Sequence, residues 1–451
     1  MPAVVASKVP SVYFVVGVWM VGGLIALIGA LCFAELTTTY PDRGGDYGYL
    51  KRGYHPRIGF AFSWAAFWVI RPGNIGAMAM IFGEFAVKVF PDSVSQLVCS
   101  VACVIVISGL NLLGITFGKT TQNILTVAKV LGILCIIAAA FFLHVKTDPS
   151  LAADGATAVV AELDASAAAV TVSAEDSQAV AGTADNKTKS IVEIWSSFWL
   201  AMVFVMFTFG GWNDIAFVAS EVKEPKRNLL RALVMGTLTV LGIYLMVNFA
   251  LLYGLGFDTM SSLGAKWANP TSALIEQRMG SLGNSLFAAL VCVSCLGGIN
   301  AMIFTSPRIY WATAIDYPSL SWLTGSRGSD NNGWWRAMLL QMIVTLVFIL
   351  TFTSKKGIEQ ITAATAPYFW LFLSLTVITL IVNRIKFKGQ FEGYRVPLYP
   401  LTPILFVMAC AFMIYQSWTF MISEGYWIQT MIIGIWVVAG LALSFAMRSK
   451  S

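Results

Sequence analysis

The sequence predicts an all-α polytopic membrane protein, and three observations support this fold class. Hydrophobic residues make up 57% of the 451 residues, only 12% are charged, and the mean hydropathy is +0.75. A soluble domain of ordinary composition carries roughly 25% charged residues. Apolar runs of about 20 residues, long enough to cross the hydrocarbon core of a bilayer, recur from one end of the chain to the other. The lipid bilayer is therefore the expected surrounding of this chain.

Apolar windows bounded by charged or Pro/Gly-rich turns define the individual spans. Eleven are expected, at roughly 11–39, 58–87, 94–114, 121–143, 192–219, 232–254, 283–306, 336–353, 358–383, 400–421 and 427–447. Residues 1–447 are predicted to form a single transmembrane domain, followed by a short tail at 448–451. A low-complexity insert rich in Ala, Thr, Ser and acidic residues occupies 144–190, and its composition predicts a poorly packed loop outside the membrane.

The distribution of charge predicts topology rather than nucleic-acid binding. The net charge is +6, but the basic residues are spread over short loops between spans. One set of alternate loops holds about twice as many Lys and Arg residues as the other, which assigns the richer side to the cytoplasm. The C-terminus is then cytoplasmic, Met1 lies outside or in the membrane, and the expected location is the cell (cytoplasmic) membrane. The chain does not begin with a cleavable signal peptide pattern.

The stretch FTFGGWND, residues 207–214, interrupts an otherwise apolar span. Two adjacent glycines each cost about 1 kcal/mol in a helix interior, and an amide and a carboxylate follow them directly. Backbone groups freed at this depth must line a cavity or be satisfied in another way. A discontinuous helix that presents free backbone groups to a small polar ligand is therefore predicted, as in inverted-repeat transporters. The alternative is a glycine pair for close helix packing.

Several motifs in order resemble one family. FTFGGWNDIAFVASEVKEPKRNLLRAL resembles the sixth-helix signature of the amino acid–polyamine–organocation (APC) permeases, particularly of their L-type amino acid transporter branch. ALIGALCFAELTTTYPDRGGDYGYLKRGY, VIRPGNIGAMAMIFGEF, TTQNILTVAKVLGIL, GINAMIFTSPRIYWATAIDYPSL and YRVPLYPLTPIL are similar to further segments of the family, so that nearly the whole chain is covered. The resemblance implies a five-plus-five inverted-repeat transporter fold with two extra C-terminal helices, twelve spans in all.

The resemblance also bears on the start of the chain. The family's first helix is broken at a glycine-rich stretch that binds the substrate together with the sixth helix. Residues 1–10, MPAVVASKVP, resemble the tail of that helix, beyond the break. Either the true start lies upstream of Met1, which we favour, or the chain has lost half of its substrate site.

The resemblance implies a set of substrate-binding residues. Phe207 corresponds to an aromatic gate on the outer side, Thr208 and Gly210 to carbonyls that bind the substrate amine, and Asn213 to a polar contact. Simple packing is the alternative for Phe207 and for Trp370 on the tenth helix. The complete predicted set is Phe207, Thr208, Phe209, Gly210, Gly211, Trp212, Asn213, Trp370 and Asn300.

Two basic residues lie deep within predicted spans. A charge at that depth is costly and is expected to face the bundle interior. By resemblance, Lys129 stands where related transporters hold sodium, and it connects the first and eighth helices. For Arg71, which precedes Pro72, either a functional role or a structural ion pair remains open.

The expected function is secondary transport of an amino acid by alternating access, through sodium-independent exchange or proton symport. A neutral cargo is favoured, since Asp214 is the only carboxylate of the signature near the break; a cationic amino acid or polyamine permease and a non-transporting amino acid sensor are the alternatives. An enzyme is not expected, because the two histidines lie at span ends and mid-membrane positions hold no paired acids or metal-spaced ligands. No cofactor or metal is expected. Animal relatives that pair with a heavy chain carry a cysteine after the third helix, and the loop VFPDSVSQ has none, so a disulfide-linked partner is not expected.

Overall fold

A computed structural model describes residues 1–41, 44–90, 94–142, 191–266, 269–324, 334–352, 357–387 and 393–447. The predicted insert at 144–190 and the predicted tail at 448–451 lie outside the described residues.

The described elements are helices, which confirms the predicted all-α class. The α-helices are α1 Pro2–Lys8, α2 Val12–Thr39, α3 Asp46–Gly53, α4 Pro56–Ala65, α5 Arg71–Val89, α6 Gln96–Leu112, α7 Ile115–Phe142, α8 Ile191–Thr208, α9 Pro225–Leu255, α10 Phe257–Ala265, α11 Pro270–Met279, α12 Ser281–Thr305, α13 Pro307–Asp316, α14 Trp335–Thr351, α15 Gly357–Lys386, α16 Leu401–Ser423 and α17 Trp427–Ala446. A π-helical turn, Ala66–Ile70, joins α4 to α5, and 3₁₀ segments occupy Trp212–Glu221 and Pro318–Thr324.

Within the described residues, nine helical segments are long and apolar enough to cross a membrane. Two shorter apolar helices, α6 and α14, occupy the positions of two more of the predicted spans. Every predicted span therefore coincides with an apolar helical segment, while the total number of crossings stays a prediction.

Helices at corresponding positions of the two predicted repeats pack together. Helix α2 packs along α9, and α5 packs along α12. The close approach of α2 depends on small residues: a β-carbon at Gly23 would lie 2.4 Å from Cδ1 of Leu241 on α9, and one at Gly22 would lie 2.4 Å from Cγ1 of Val205 on α8. Small residues of this kind let transmembrane helices approach closely enough for van der Waals contact to hold them.

The first residues of the chain are part of the packed core. Helix α1 buries Ala3, Val4, Val5 and Ala6. It crosses α10 so closely that a β-carbon at Gly264 would overlap the Ala3 carbonyl. The segment predicted as the tail of a broken first helix is thus helical and buried.

The second predicted span, at 58–87, changes its helical geometry halfway. The π-helical turn Ala66–Ile70 ends where Arg71 and Pro72 begin α5. Proline has no N–H to donate and its ring crowds the preceding turn, so a regular helix cannot pass through it undisturbed. Because of this wider turn, Arg71 stands at a helix junction rather than in the middle of a uniform helix.

Candidate functional site

The polypeptide leaves α-helical geometry immediately after Thr208. Helix α8 ends there, Gly211 has a φ of +102°, and Trp212–Glu221 continues as a 3₁₀-helix. Glycine adopts positive φ without the steric cost that a β-carbon would bring. The predicted interruption of the sixth helix is therefore present, and the second glycine has a backbone conformation that explains the residue type.

Backbone hydrogen bonding changes at the same place. The Gly210 N–H donates to the Phe207 carbonyl three residues earlier, at 3.3 Å. The Thr208 carbonyl accepts a hydrogen bond from the Tyr244 hydroxyl of α9 at 3.1 Å, and the Thr208 hydroxyl donates to the Phe204 carbonyl at 2.7 Å. Sequence reasoning missed Tyr244. The signal that could have found it is a tyrosine within an apolar helix, since a buried hydroxyl needs a partner.

A small cavity lies beside the break. Its volume is about 10 Å³, on the scale of a single water site. Its lining residues come from the end of α8, the break itself and the middle of α15: Met206, Phe209, Gly210, Trp212, Asn213, Phe369, Trp370 and Leu373. Thus Phe209, Gly210, Trp212, Asn213 and Trp370 of the predicted set line one cavity, while their binding roles stay predictions.

Aromatic rings form the walls around this cavity. The Trp212 ring meets the Phe33 ring edge to face, with centroids 5.2 Å apart, and lies 5.8 Å from the Phe406 ring. The Phe209 ring contacts Tyr244 at 5.1 Å and Trp19 at 6.1 Å. Such aromatic pairs contribute about 0.5–1.5 kcal/mol beyond the area that they bury. The break is therefore surrounded by packed aromatic rings.

Arg71 and Asp214 form a buried ion pair across the bundle. Each terminal guanidinium nitrogen of Arg71 donates to one carboxylate oxygen of Asp214 at 2.7 Å. Arg71 is 7% exposed and lies over the Phe217 ring at 4.9 Å. This bidentate arrangement is the strongest form of arginine–carboxylate contact. Of the two alternatives for Arg71, the geometry supports the structural ion pair, and the carboxylate of Asp214 bonds to α5 rather than lining the cavity.

Asn300 lies away from the cavity. It is fully buried on α12, where its amide accepts from Asn111 Nδ2 at 2.7 Å and donates to Gln122 Oε1 at 2.8 Å and to the Gly118 carbonyl at 3.1 Å. These bonds join α12 to α6 and α7. The structure therefore gives Asn300 contacts between helices, and its predicted substrate contact is not among them.

Phe207 and Lys129 also lie outside the cavity. The Phe207 side chain is 47% exposed and does not line the cavity, although its neighbours in the chain do. Lys129 on α7 has an accessible side chain, but it lies near the Cys295 thiol of α12 and so faces that helix, and its coupling role stays a prediction. In the apolar part of α7 only 6% of residues are buried, because the described helices cover little of its surface.

A second group of ion pairs closes the predicted cytoplasmic side. Arg308 of α13 binds Glu221, at the end of the 3₁₀ segment, through two bonds of 2.6 and 3.0 Å. Arg384 of α15 binds Glu35 of α2 through bonds of 2.7 and 2.5 Å. Both arginines are therefore bidentate, and both pairs join separate helical elements.

A helical membrane protein with a cavity beside a discontinuous helix belongs to the class of secondary transporters. The family model described as amino acid permease matches residues 2–439, and the chain belongs to this family. The match confirms the suspected superfamily. It also confirms amino acid transport, rather than enzymatic catalysis, as the class of function.

Curated relatives are similar over most of their length. A serine/threonine exchanger of Bacillus subtilis (strain 168) is 27% identical over 427 residues, which cover 94% of this chain and 85% of the relative. The b(0,+)-type amino acid transporter 1 of Mus musculus is 24% identical, covering 98% of this chain and 82% of its own. The large neutral amino acids transporter small subunit 2 of Oryctolagus cuniculus is 26% identical, and the similarity covers 96% of this chain and 75% of the relative.

Proposed function

We propose that this chain carries neutral amino acids across the cell membrane by alternating access, as a sodium-independent exchanger. The observation that carries the proposal is the loss of α-helical geometry at Thr208–Gly211 beside a cavity bounded by Trp370. Unwound backbone at membrane depth is tolerated where it lines a cavity.

The break offers complementary groups for a zwitterion. The N-terminus of the 3₁₀ segment at Trp212 carries the positive end of the backbone dipoles, which favours a carboxylate. The carbonyl ends of α8 around Thr208 to Gly210 carry the negative end, which favours an ammonium group. The Asn213 amide, 3% exposed, can hydrogen-bond either group.

The charge of the cavity supports a neutral cargo. Its eight lining residues include no acidic or basic side chain. Asp214, the carboxylate of the signature that follows the break directly, is neutralised by Arg71. A cationic side chain would find no counter-ion among these lining residues, whereas the rings of Phe209, Trp212 and Phe369 suit an apolar or small polar one.

Exchange is favoured over proton symport by similarity to a relative named an exchanger. Sodium-independence rests on the resemblance of the Lys129 segment to that of sodium-independent family members. We also place the C-terminus in the cytoplasm, from the distribution of Lys and Arg. We expect no disulfide-linked partner, because the loop VFPDSVSQ after the third helix of the family contains no cysteine.

Uptake into proteoliposomes tests the proposal. Vesicles loaded with unlabelled serine, or left empty, are given labelled serine, leucine or lysine, in sodium or in choline buffer. The expected result is uptake of the neutral amino acids, faster into loaded vesicles and equal in both buffers. Trp370→Ala should abolish it, whereas Trp427→Ala, which alters a ring half exposed on α17, should not. Equal uptake into loaded and empty vesicles would exclude exchange, and preference for lysine would exclude the neutral cargo.

A further inference from the structure

The loop before α3 packs directly against the second half of the broken helix. Gly45 has a φ of +51°, and a β-carbon on it would lie 2.9 Å from the Ala216 carbonyl carbon and 2.7 Å from the Phe217 ring. A β-carbon on Gly44 would lie 2.7 Å from Cβ of Ala312 on α13. The glycines therefore allow the loop to close onto the 3₁₀ segment, and any movement of that segment must separate the two.

Beside this contact lies a buried carboxyl group with an oxygen that has no hydrogen-bond partner among the described residues. Asp46 follows Gly45 at the start of α3, is 4% exposed, and its Oδ1 has no hydrogen-bond partner among the described residues. Arg71, the basic group that acts on Asp46, already makes two hydrogen bonds to Asp214. Both carboxyl groups thus interact electrostatically with the same guanidinium, and only Asp214 is hydrogen-bonded to it. A buried carboxylate without a counter-ion is strongly unfavourable, so the second carboxyl group takes up a proton instead.

The electrostatics agree with this count of charges. Asp46 lies in the short helix between two spanning segments. Burial raises its pKa from 3.8 to about 8; the Arg71 charge opposes this rise and the Asp214 charge adds to it. Two carboxyl groups that share one site commonly have one pKa strongly raised.

Other charged groups around α3 are engaged elsewhere. They form the pairs Lys51–Asp316, Arg308–Glu221 and Arg384–Glu35. The Tyr47 hydroxyl donates to Asp316, Lys386 donates to the Gly53 carbonyl, and Arg57 lies over the Phe445 ring. His55 caps α4 by accepting from the Arg57 N–H, and the Tyr310 hydroxyl donates to the Ala66 carbonyl. None of these contacts supplies a counter-ion to Asp46.

We propose that Asp46 is a proton-binding site that is occupied while the 3₁₀ segment packs against the loop, and that it releases its proton when this segment moves. Movement of the segment carries Asp214 away from Arg71. The freed guanidinium then pairs with Asp46, whose proton leaves to the predicted cytoplasmic water, while Asp214 becomes hydrated. Closure reverses each step, so no proton is consumed. This inference deepens the proposed function, because it makes opening of the transport site depend on cytoplasmic pH.

The first test is stability against pH and does not depend on transport. The folded protein holds a proton on Asp46 that an unfolded chain releases above its ordinary pKa of 3.8. The contribution of Asp46 to the free energy of unfolding therefore falls as the pH rises from 3.8 to about 8. The Asp46→Asn variant resembles the protonated acid. Near pH 3.8 its melting temperature should be close to that of the wild type, and as the pH rises its melting temperature should exceed the wild-type value by a growing margin. Asp258→Asn, an exposed carboxylate on α10, is the matched control and should show no such divergence. A constant or shrinking gap for Asp46→Asn would overturn the proposal.

The second test is exchange in proteoliposomes with the internal pH varied. When opening limits the rate, wild-type exchange should fall roughly tenfold for each internal pH unit below the pKa of Asp46. Asp46→Asn should lose this dependence, and Asp214→Asn should shift it to lower pH, since Arg71 is then free to bind Asp46 at all times. The same pH dependence in all three proteins would refute the proposal. If no protein transports but the stability result holds, the proton site stands and the proposed function fails.

Discussion

The ion pair between Arg71 and Asp214 gives the most quantitative prediction. Arg71→Met removes the guanidinium but keeps an apolar chain of similar length. The Arg71 side chain is 8% exposed and that of Asp214 19% exposed. Removal of one partner of a buried pair costs about 3–5 kcal/mol, because the other charge stays buried and unpaired. Water reaches part of Asp214, so the lower end applies and we expect a loss of about 3 kcal/mol.

The prediction extends to a double-mutant cycle. Asp214→Asn alone breaks the same pair, but Arg71 can then bind Asp46 instead, so this variant should lose less stability than Arg71→Met. The double variant removes both charges, so its loss should be smaller than the sum of the two by about 2–3 kcal/mol. Thermal and denaturant unfolding of the purified protein in detergent measures each value.

A surface pair in the same span supplies the control. Lys88 and Glu84 lie 3.8 Å apart with side chains 59% and 48% exposed. A cycle on this pair should give a coupling of about 0.5 kcal/mol or less. If the losses at Arg71 and Asp214 simply add, the two residues do not act as a pair, and the reasoning about both Arg71 and the protonation of Asp46 is wrong.

Three further substitutions test individual features of the site. Gly211→Ala puts a β-carbon at positive φ, which costs about 1–2 kcal/mol, so it should lower both the melting temperature and the uptake. Gly236→Ala, in open space on α9, is the control and should change neither. Equal effects of the two variants would contradict the assigned backbone role of Gly211. Asn300→Ala leaves the side-chain amides of Asn111 and Gln122 without their partner and should cost about 1–3 kcal/mol of stability. The folded fraction should bind its amino acid with unchanged affinity in a calorimetric titration. Normal stability with lost binding would favour the substrate role instead. Tyr244→Phe removes the donor to the Thr208 carbonyl and should cost about 1 kcal/mol in a thermal melt, so an unaltered melt would mean that the bond contributes nothing.

The fold was accessible from the sequence because lipid imposes strong constraints. Apolar runs of sufficient length must be helices, since every backbone group in the bilayer needs an internal partner. The same rule predicts a break in the helix at Gly210 and Gly211, because backbone groups freed at that depth must line a cavity or find another partner. Most helix ends follow from these local signals to within a few residues, but α7 and α9 begin well before the predicted starts at 121 and 232.

The partners of polar residues were not accessible in the same way. Asp214 lies 143 residues from Arg71, and no local pattern joins them. Asn300 is a candidate substrate contact by resemblance alone; its amide bonds to neighbouring helices, which the sequence does not indicate, and its substrate role stays a prediction. Only three-dimensional packing distinguishes a polar group that awaits a ligand from one that already has its partners.

Residues at the edge of the broken helix show a third difficulty. Phe207 and Phe209 are two positions apart in the same motif, but Phe209 is 4% exposed and lines the cavity, whereas Phe207 is 47% exposed. Which side of a helix end faces the cavity depends on the last turn before the break, and the motif alone does not fix that angle.

An electron cryo-microscopy structure with a neutral amino acid bound tests the central claim most directly. The account predicts density for the amino acid beside Trp370, with its charged groups within hydrogen-bond distance of the backbone at Thr208–Gly211, which stays non-helical. An amino acid bound elsewhere, with residues 208–212 in a continuous α-helix, would contradict it.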